Sequence, residues 1–149
     1  QAVLGQVQHT DALLMAAAVA DFRPQDIADQ KIKKKEDSDD APIITLARTP
    51  DILMSVKSQR TASGFPRLVV GFAAESEHLL AHARDKLERK GMDLLVANDI
   101  TAADAGFEVD TNRVVILDAS GGQTPIAIAS KTRIAEAIVQ AVAQRLNNQ

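Results

Sequence analysis

Three apolar segments, each followed by polar side chains, dominate the hydropathy pattern of this chain. They cover residues 12–19, 68–73 and 94–97, and the residues that follow them are Ala20-Asp21, Ala74-Glu75 and Asn98-Asp99. Continuous apolar runs of this length predict strands buried on both faces, as in the centre of a parallel sheet covered by helices. The carboxyl ends of such strands meet at one edge of the sheet, where we expect a ligand crevice.

The spacing of the other apolar residues predicts three amphipathic helices, over about residues 50–59, 76–89 and 131–146. Their predicted core positions are Ile52, Leu53 and Val56, then Leu79, Leu80, Ala83 and Leu87, and finally Ile134, Ile138, Val142 and Leu146. A short strand at 43–46 and a hairpin of residues 113–117 and 125–128 around Gly121-Gly122 complete the pattern. We therefore predict an α/β chain, a Rossmann-like three-layer domain with a mainly parallel sheet and a C-terminal antiparallel hairpin.

Residues 25–42 are too polar to join a core, because a lysine block is followed there by Glu36-Asp37-Ser38-Asp39-Asp40. We expect a mobile flap on one domain that spans residues 1–149. The composition, with 46% hydrophobic and 25% charged residues, fits a single globular domain. The chain begins at Gln1 without a methionine and reads as a piece of something longer.

The charge and residue content exclude several function classes. A net charge of -3 with mixed signs gives no reason to expect a nucleic-acid or membrane partner. The absence of cysteine rules out disulfides and thiol catalysis by this chain, and fits a reducing compartment such as the cytoplasm. No apolar run approaches the ~20 residues of a membrane helix.

The candidate chemistry lies where the first apolar segment meets the flap. Small side chains at Ala16, Ala17 and Ala18 let a ligand approach the backbone, Asp21 can accept hydrogen bonds, and the lysines from Lys31 suit polyphosphate. A plain solvated loop is the alternative for such a lysine run. Lys86 and Lys90, one helical turn apart, add two cations or merely cap a helix.

Other motifs are weak or missing. His78 and His82 stand four residues apart on a predicted helix, which permits a zinc site, but an exposed helix face is the more common meaning and we predict no metal site. Neither a Gly-x-Gly-x-x-Gly nor a P-loop sequence occurs, and no Gly-x-Ser-x-Gly elbow supports nucleophilic hydrolysis.

The motifs in their order along the chain resemble the phosphopantothenate-cysteine ligase family. They are Ala17-Ala18-Val19-Ala20-Asp21-Phe22-Arg23-Pro24, Lys31-Ile32-Lys33-Lys34, Thr49-Pro50-Asp51-Ile52-Leu53, Gly71-Phe72-Ala73-Ala74-Glu75, Lys86 with Lys90, residues 93–99 and Gly106-Phe107. In bacteria this family usually forms the C-terminal half of a bifunctional flavoprotein. The family's glycine-rich start and its Asn-x-Ser-Ser-Gly segment are absent, so the N-terminal part of the family domain is missing here.

The resemblance implies a set of site residues. Nucleotide-binding positions are Met15, Ala16, Ala17, Asp21, Lys31, Pro50, Asp51, Ile52, Leu53, Phe72, Lys86 and Lys90. Phosphopantothenate-binding positions are Ala17, Ala18 and Asp21. The catalytic residue is Lys31, on a flap that closes over the triphosphate.

The implied reaction activates 4'-phosphopantothenate with CTP and then couples it to cysteine. The partners are therefore CTP, 4'-phosphopantothenate, cysteine and a second copy of the chain, because the family is dimeric. Mg²⁺ would arrive with the triphosphate, and FMN would belong only to a fused decarboxylase. We expect that these residues alone do not complete the ligation. The alternatives are a non-catalytic nucleotide-binding or interaction domain and a flavin-binding decarboxylase module.

Overall fold

The computed structural model describes residues 1–33, 41–75, 79–99 and 109–148. In chain order its elements are α1 (Ala2–Gln6), a 3₁₀ turn (Val7–His9), β1 (Ala12–Met15), β2 (Phe22–Pro24), β3 (Leu46–Arg48), α2 (Ile52–Ser63), β4 (Leu68–Glu75), α3 (Leu79–Lys90), β5 (Leu94–Asp99), β6 (Thr111–Asp118), β7 (Gln123–Ser130) and α4 (Lys131–Asn147). The contacts divide the chain into two compact units, one of Gln1–Ala16 with Ile52–Gln149 and one of Ala17–Asp51. The prediction of one domain with a flap at about 25–42 stays a prediction.

The first unit contains a five-stranded sheet in the order β1-β4-β5-β6-β7. The strands β1, β4 and β5 are parallel to one another, and each crossover from one of them to the next contains an α-helix. The strand β6 is antiparallel to β5, and β7 is antiparallel to β6. The turn between β6 and β7 contains Gly121 at φ 100°, a left-handed conformation that suits glycine. The α/β class, the mainly parallel start of the sheet and the C-terminal hairpin are confirmed.

Helices cover both faces of this sheet. The face of α2 and α3 is built around Val56, Ala83 and Leu87, which pack on strand residues such as Leu95. The other face is built around Ile134, Ile138 and Val142 of α4, packed on strand residues such as Val70, Val96 and Ile116. The core positions predicted for the first and last helices are confirmed, with Ile52, Leu53 and Leu146 partly buried beside them.

A network of hydrogen bonds joins the amino ends of β4 and β5. Asp93 stands just before β5, and its Oδ2 accepts a hydrogen bond from the Val69 amide at 2.7 Å and pairs with Arg60 Nη1 at 2.9 Å. The Asp93 amide donates in return to the Val69 carbonyl at 2.9 Å. Arg60 also donates to the Arg67 carbonyl at 2.6 Å, so one arginine of α2 holds both strands in register.

Several predicted boundaries are wrong. The first strand ends at Met15 rather than at residue 19, and within the described sheet it is an edge strand rather than a central one. The stretch from Ala16 to Ala20 is exposed, because alanine side chains offer little apolar surface to hold a strand in a sheet. The strand predicted at 43–46 forms at Leu46–Arg48 instead.

One predicted core position of α3 is also wrong. Leu80 is 41% exposed, whereas Ala83 and Leu87 are buried. Apolar periodicity specifies which face of a helix is buried, but not how far along the helix its neighbours extend.

The second unit contains a two-stranded antiparallel sheet of β2 and β3. Phe22 pairs with Arg48 and Pro24 with Leu46, and the Gln25 amide extends the ladder with a 2.9 Å hydrogen bond to the Thr45 carbonyl. Every described residue of this unit is exposed except the half-buried Ala47 and Thr49. Hydrogen bonds rather than a core therefore organise it.

Candidate functional site

The carboxyl ends of β4 and β5 lie side by side, as the sequence predicts. Ala74 pairs with Asn98 and Glu75 with Asp99, which brings two of the three predicted polar strand ends to one edge. The strand β1 is shorter, because its last residue Met15 pairs with Gly71, in the middle of β4. The third predicted strand end, Asp21, belongs instead to the second unit.

The predicted nucleotide positions of the first unit lie on both faces of the sheet. Phe72 packs against the cluster under α4, whereas Ile52 and Leu53 in the first turn of α2 pack against the opposite cluster. Met15 is half-buried at the end of β1, and Ala16 is exposed. The structure therefore separates Phe72 from Ile52 and Leu53 by the thickness of the sheet.

Gly71, which precedes Phe72, has a packing role that sequence motifs alone do not reveal. A Cβ atom at Gly71 would lie 2.1 Å from the sulfur of Met92 and 3.3 Å from Leu95 Cδ1. The hydrogen at this position leaves room for the side chain of Met92 to reach the strand surface. The Met92 side chain would have to move if the glycine of the Gly-Phe-Ala-Ala-Glu motif carried a Cβ atom.

Lys86 and Lys90 are half-buried along α3. This helix connects two parallel strands. It therefore runs from the carboxyl end of β4 back towards Leu94, the first residue of β5. At 1.5 Å per residue, Lys86 lies about 10 Å and Lys90 about 16 Å along the axis from the start of the helix. Of the two, Lys86 is the nearer to the carboxyl edge of the sheet.

The second unit holds Ala17, Ala18, Asp21 and Lys31, all exposed. The lysines after Lys33 lie outside the described residues. The unit brings Asp21 next to the turn that contains Pro50 and Asp51, because the amide of Thr49 donates to the Asp21 carbonyl at 2.9 Å. Two segments that the sequence motifs assign to the nucleotide site are thus adjacent in space.

The same unit exposes large apolar side chains. Phe22, Leu46 and Ile44 are 53%, 57% and 60% exposed, and Ile43 is 95% exposed. Antiparallel partners share a face of the sheet, so Phe22 and Leu46 stand diagonally on one face. Large exposed apolar residues grouped in this way are typical of a binding surface.

A groove of about 630 Å³ lies elsewhere, between α4 and the strands β6 and β7. It is lined by Asp118, Thr124, Ile126, Gln144 and Arg145, among other residues, and by none of the predicted site residues. The Asp118 pKa is lowered by hydrogen bonds from the Ser120 hydroxyl and the Gly122 and Ser120 amides and by the Arg145 charge, against the opposing effect of burial. Arg145 Nη2 lies 3.1 Å from Asp118 Oδ2.

The residues present fit a magnesium ion held mainly by a nucleotide. Within the described ranges, no group of three or more His, Cys, Asp or Glu side chains could hold a metal ion. Asp21 offers a single exposed carboxylate in the second unit, which suits a cation that keeps phosphate oxygens and waters as its other ligands. The suggested partner of His82, His78, lies outside the described residues.

None of the helices in the described part of the chain is both long and apolar enough to cross a bilayer.

The fold and the paired strand ends define an α/β domain with helices on both faces of a mixed sheet. More particularly, the chain belongs to the family of DNA/pantothenate metabolism flavoprotein C-terminal domains, which it matches over residues 1–146. The resemblance drawn from the sequence motifs is thereby confirmed.

Relatives from distant bacteria share this similarity. The coenzyme A biosynthesis bifunctional protein CoaBC of Mycobacterium tuberculosis is 45% identical over 138 residues, covering 89% of this chain and 32% of the relative. The protein of the same name from Bacillus subtilis is 38% identical over 143 residues, covering 96% of this chain and 34% of the relative. The chain thus spans about a third of the length of the curated relatives it matches.

Solved structures agree on the fold. The C-terminal domain of a coenzyme A biosynthesis bifunctional protein CoaBC matches with a TM-score of 0.75 and 26% identity, over 99% of this chain and 61% of that one. The DNA/pantothenate metabolism flavoprotein from Streptococcus pneumoniae matches with a TM-score of 0.71 and 22% identity, over 95% of this chain and 66% of that one.

Proposed function

We propose that this chain acts in coenzyme A biosynthesis, as the part of a phosphopantothenate-cysteine ligase that binds CTP. The observation that carries the proposal is the match over 99% of this chain to the C-terminal domain of a coenzyme A biosynthesis protein. The adjacency of Asp21 and the Pro50 turn supports it, because both belong to the motifs that the ligase family shares.

The proposed reaction has two steps. A carboxylate oxygen of 4'-phosphopantothenate attacks the α-phosphorus of CTP, and the bond to pyrophosphate breaks. The cysteine amine then attacks the acyl carbon, CMP leaves, and the amine loses a proton as the amide forms. The first step brings a carboxylate to a polyanion, so its main requirement is neutralisation of negative charge.

Lys31 is the residue that we propose for this neutralisation. It is exposed in the second unit, on the polypeptide between β2 and β3, where its side chain is accessible to a triphosphate. Mg²⁺ bound to the triphosphate supplies further positive charge. Removing one such cation costs about 3 kcal/mol of transition-state stabilisation, the scale measured for a single oxyanion donor.

The test is calorimetric titration of CTP with Mg²⁺ into the wild type, Lys31→Ala and Lys33→Ala. Lys33 is a matched control, because it is an exposed lysine two residues away on the same segment. We expect Lys31→Ala to weaken CTP binding about tenfold and Lys33→Ala to weaken it less than threefold, since one well-placed ionic contact is worth ~1.4 kcal/mol. Equal binding by the two variants would remove Lys31 from the site.

A second titration separates the ligase from a non-catalytic nucleotide-binding domain. The proposal expects 4'-phosphopantothenate to bind in addition to CTP, whereas a plain nucleotide-binding domain would take up CTP alone. That these 149 residues do not complete the ligation by themselves stays a prediction. Pyrophosphate release after addition of CTP, 4'-phosphopantothenate and cysteine would contradict it.

We further propose that a second copy of the chain covers the apolar surface of the second unit. An isolated two-stranded sheet without a core is only marginally stable in water, and this unit has no buried residue among those described. Phe22 and Leu46 are large exposed apolar side chains on one face of that sheet, beside the exposed Arg48, and aromatic residues with arginine are enriched in dimer interfaces. The cytoplasmic location stays a prediction.

A further inference from the structure

Thr49 bonds to two consecutive carbonyl groups of a segment 28 residues earlier in the chain. Its amide donates to the Asp21 carbonyl at 2.9 Å, and its hydroxyl donates to the Ala20 carbonyl. All three residues lie in the second unit, and Thr49 directly follows β3. One side chain therefore adds a second hydrogen bond to the ladder at the point where β2 begins.

These two bonds fix the orientation of the Ala20–Asp21 peptide. In a trans peptide the N–H points opposite to the C=O. Because the Ala20 carbonyl is directed at Thr49, the Asp21 amide is directed away from it. The Asp21 carboxylate is exposed, and the described residues include no hydrogen-bond partner for it. As far as the described residues go, the amide and carboxylate of Asp21 are thus available to another molecule.

The position of Thr49 before Pro50 makes this arrangement specific. A residue that precedes proline is restricted to extended backbone, so Thr49 favours the strand-like conformation in which its amide joins the ladder. The hydrogen bonds take the place of packing, because the unit has no buried residue among those described. Loss of the Thr49 hydroxyl would release the Ala20 carbonyl and loosen Asp21 relative to the Pro50 turn.

We propose that Thr49 is a positioning residue of the nucleotide site, which holds the Asp21 backbone beside the Pro50–Asp51 turn. The inference rests on the proposed function, since it assigns both segments to the binding of CTP. Thr49 itself does not touch the nucleotide. It acts through the orientation of Asp21.

The test compares Thr49→Val, which keeps the side-chain shape and removes the hydroxyl, with Thr49→Ser, which keeps the hydroxyl. Thr45→Val is the matched control, because Thr45 is an exposed threonine directly before β3, and its hydrogen bond with the Gln25 amide uses its backbone carbonyl rather than its hydroxyl. We expect calorimetry to show about fivefold weaker CTP binding for Thr49→Val, the effect of one lost hydrogen bond. Thr49→Ser and Thr45→Val should bind within twofold of the wild type.

A purely structural role would give a different result. The core of the protein lies in the first unit, so the midpoint of thermal unfolding should be the same for all these variants. CTP binding by Thr49→Val equal to that of Thr45→Val would overturn the proposal, and so would a failure of Thr49→Ser to restore binding.

Amide hydrogen exchange separates this inference from the proposed function. We expect the Thr49 amide of the wild type to be protected at least as well as the Gln25 amide, which is hydrogen-bonded in the same sheet. If the wild type does not bind CTP, the proposed function fails while protection of Thr49 still supports the geometry. Rapid exchange of the Thr49 amide would overturn the positioning role. This measurement uses the wild type, so it does not depend on whether the variants fold.

Discussion

Replacement of Asp93 by alanine should destabilise the first unit strongly. Asp93 Oδ2 accepts the Val69 amide at 2.7 Å, and the same carboxylate pairs with Arg60 at 2.9 Å. Val69 is 2% exposed and the Asp93 side chain only 23%, so water reaches the Val69 amide poorly once the carboxylate acceptor is removed. The substitution therefore leaves one buried donor unsatisfied and one arginine unpaired.

The expected loss follows from these two effects. An unsatisfied buried amide costs about 1–3 kcal/mol. The pair with Arg60 is only about a quarter exposed on each side and contributes roughly 1 kcal/mol more. The free energy of unfolding should thus fall by about 2–4 kcal/mol, and the midpoint of thermal unfolding by roughly 6–12 °C for a chain of this length.

Asp11→Ala is the matched control in chemical and thermal unfolding followed by circular dichroism. Asp11 also pairs with an arginine, Arg67, but at 3.4 Å and with a side chain that is 63% exposed. We expect a loss of less than 1 kcal/mol for this control. If Asp93→Ala and Asp11→Ala are equally stable, the network does not join β4 to β5 as described.

Three further predictions concern Gly71, Asp118 and Phe22. Gly71→Ala should lower the free energy of unfolding by about 1–3 kcal/mol, because the added methyl group overpacks against Met92. Gly5→Ala is the control and should not destabilise the protein, because Gly5 has no neighbour within 4 Å of an added Cβ atom. Equal unfolding midpoints for the two variants would contradict this prediction. Because folding lowers the Asp118 pKa, the stability that its carboxylate adds is complete above its ordinary pKa of about 3.9 and is lost as the pH falls further. The difference in urea midpoint between wild type and Asp118→Asn should therefore shrink below that pH, and a constant difference would refute the assignment. If the proposed dimer forms through Phe22, light scattering should show a monomer for Phe22→Glu and a dimer for Val139→Glu, whose residue is exposed on α4. A dimer of Phe22→Glu would place the interface elsewhere.

The sequence predicts the interior of the first unit well. The continuous apolar runs that became β4 and β5 can be buried only between two layers, and the spacing of Ile134, Ile138 and Val142 permits only one buried face of α4. Gly121-Gly122 likewise predicts the hairpin turn, because a positive φ at one of these positions is required there.

The second unit could not be predicted in the same way. The strands β2 and β3 have three residues each and are paired across 21 intervening positions, so neither is long enough for an alternating pattern to be recognised in the sequence. Their register depends on hydrogen bonds such as those of Thr49, which hydropathy does not encode. The sequence motifs identified Asp21 and Pro50 as related positions, but only the pairing of the strands explains why they are neighbours.

Calorimetry of the wild-type chain with CTP and with ATP, each with and without Mg²⁺, decides whether these residues form a CTP site. We expect one CTP bound per chain, weaker binding when Mg²⁺ is removed, and weaker binding of ATP. Failure of CTP to bind under any of these conditions would contradict the assignment of these residues to a CTP-dependent ligase.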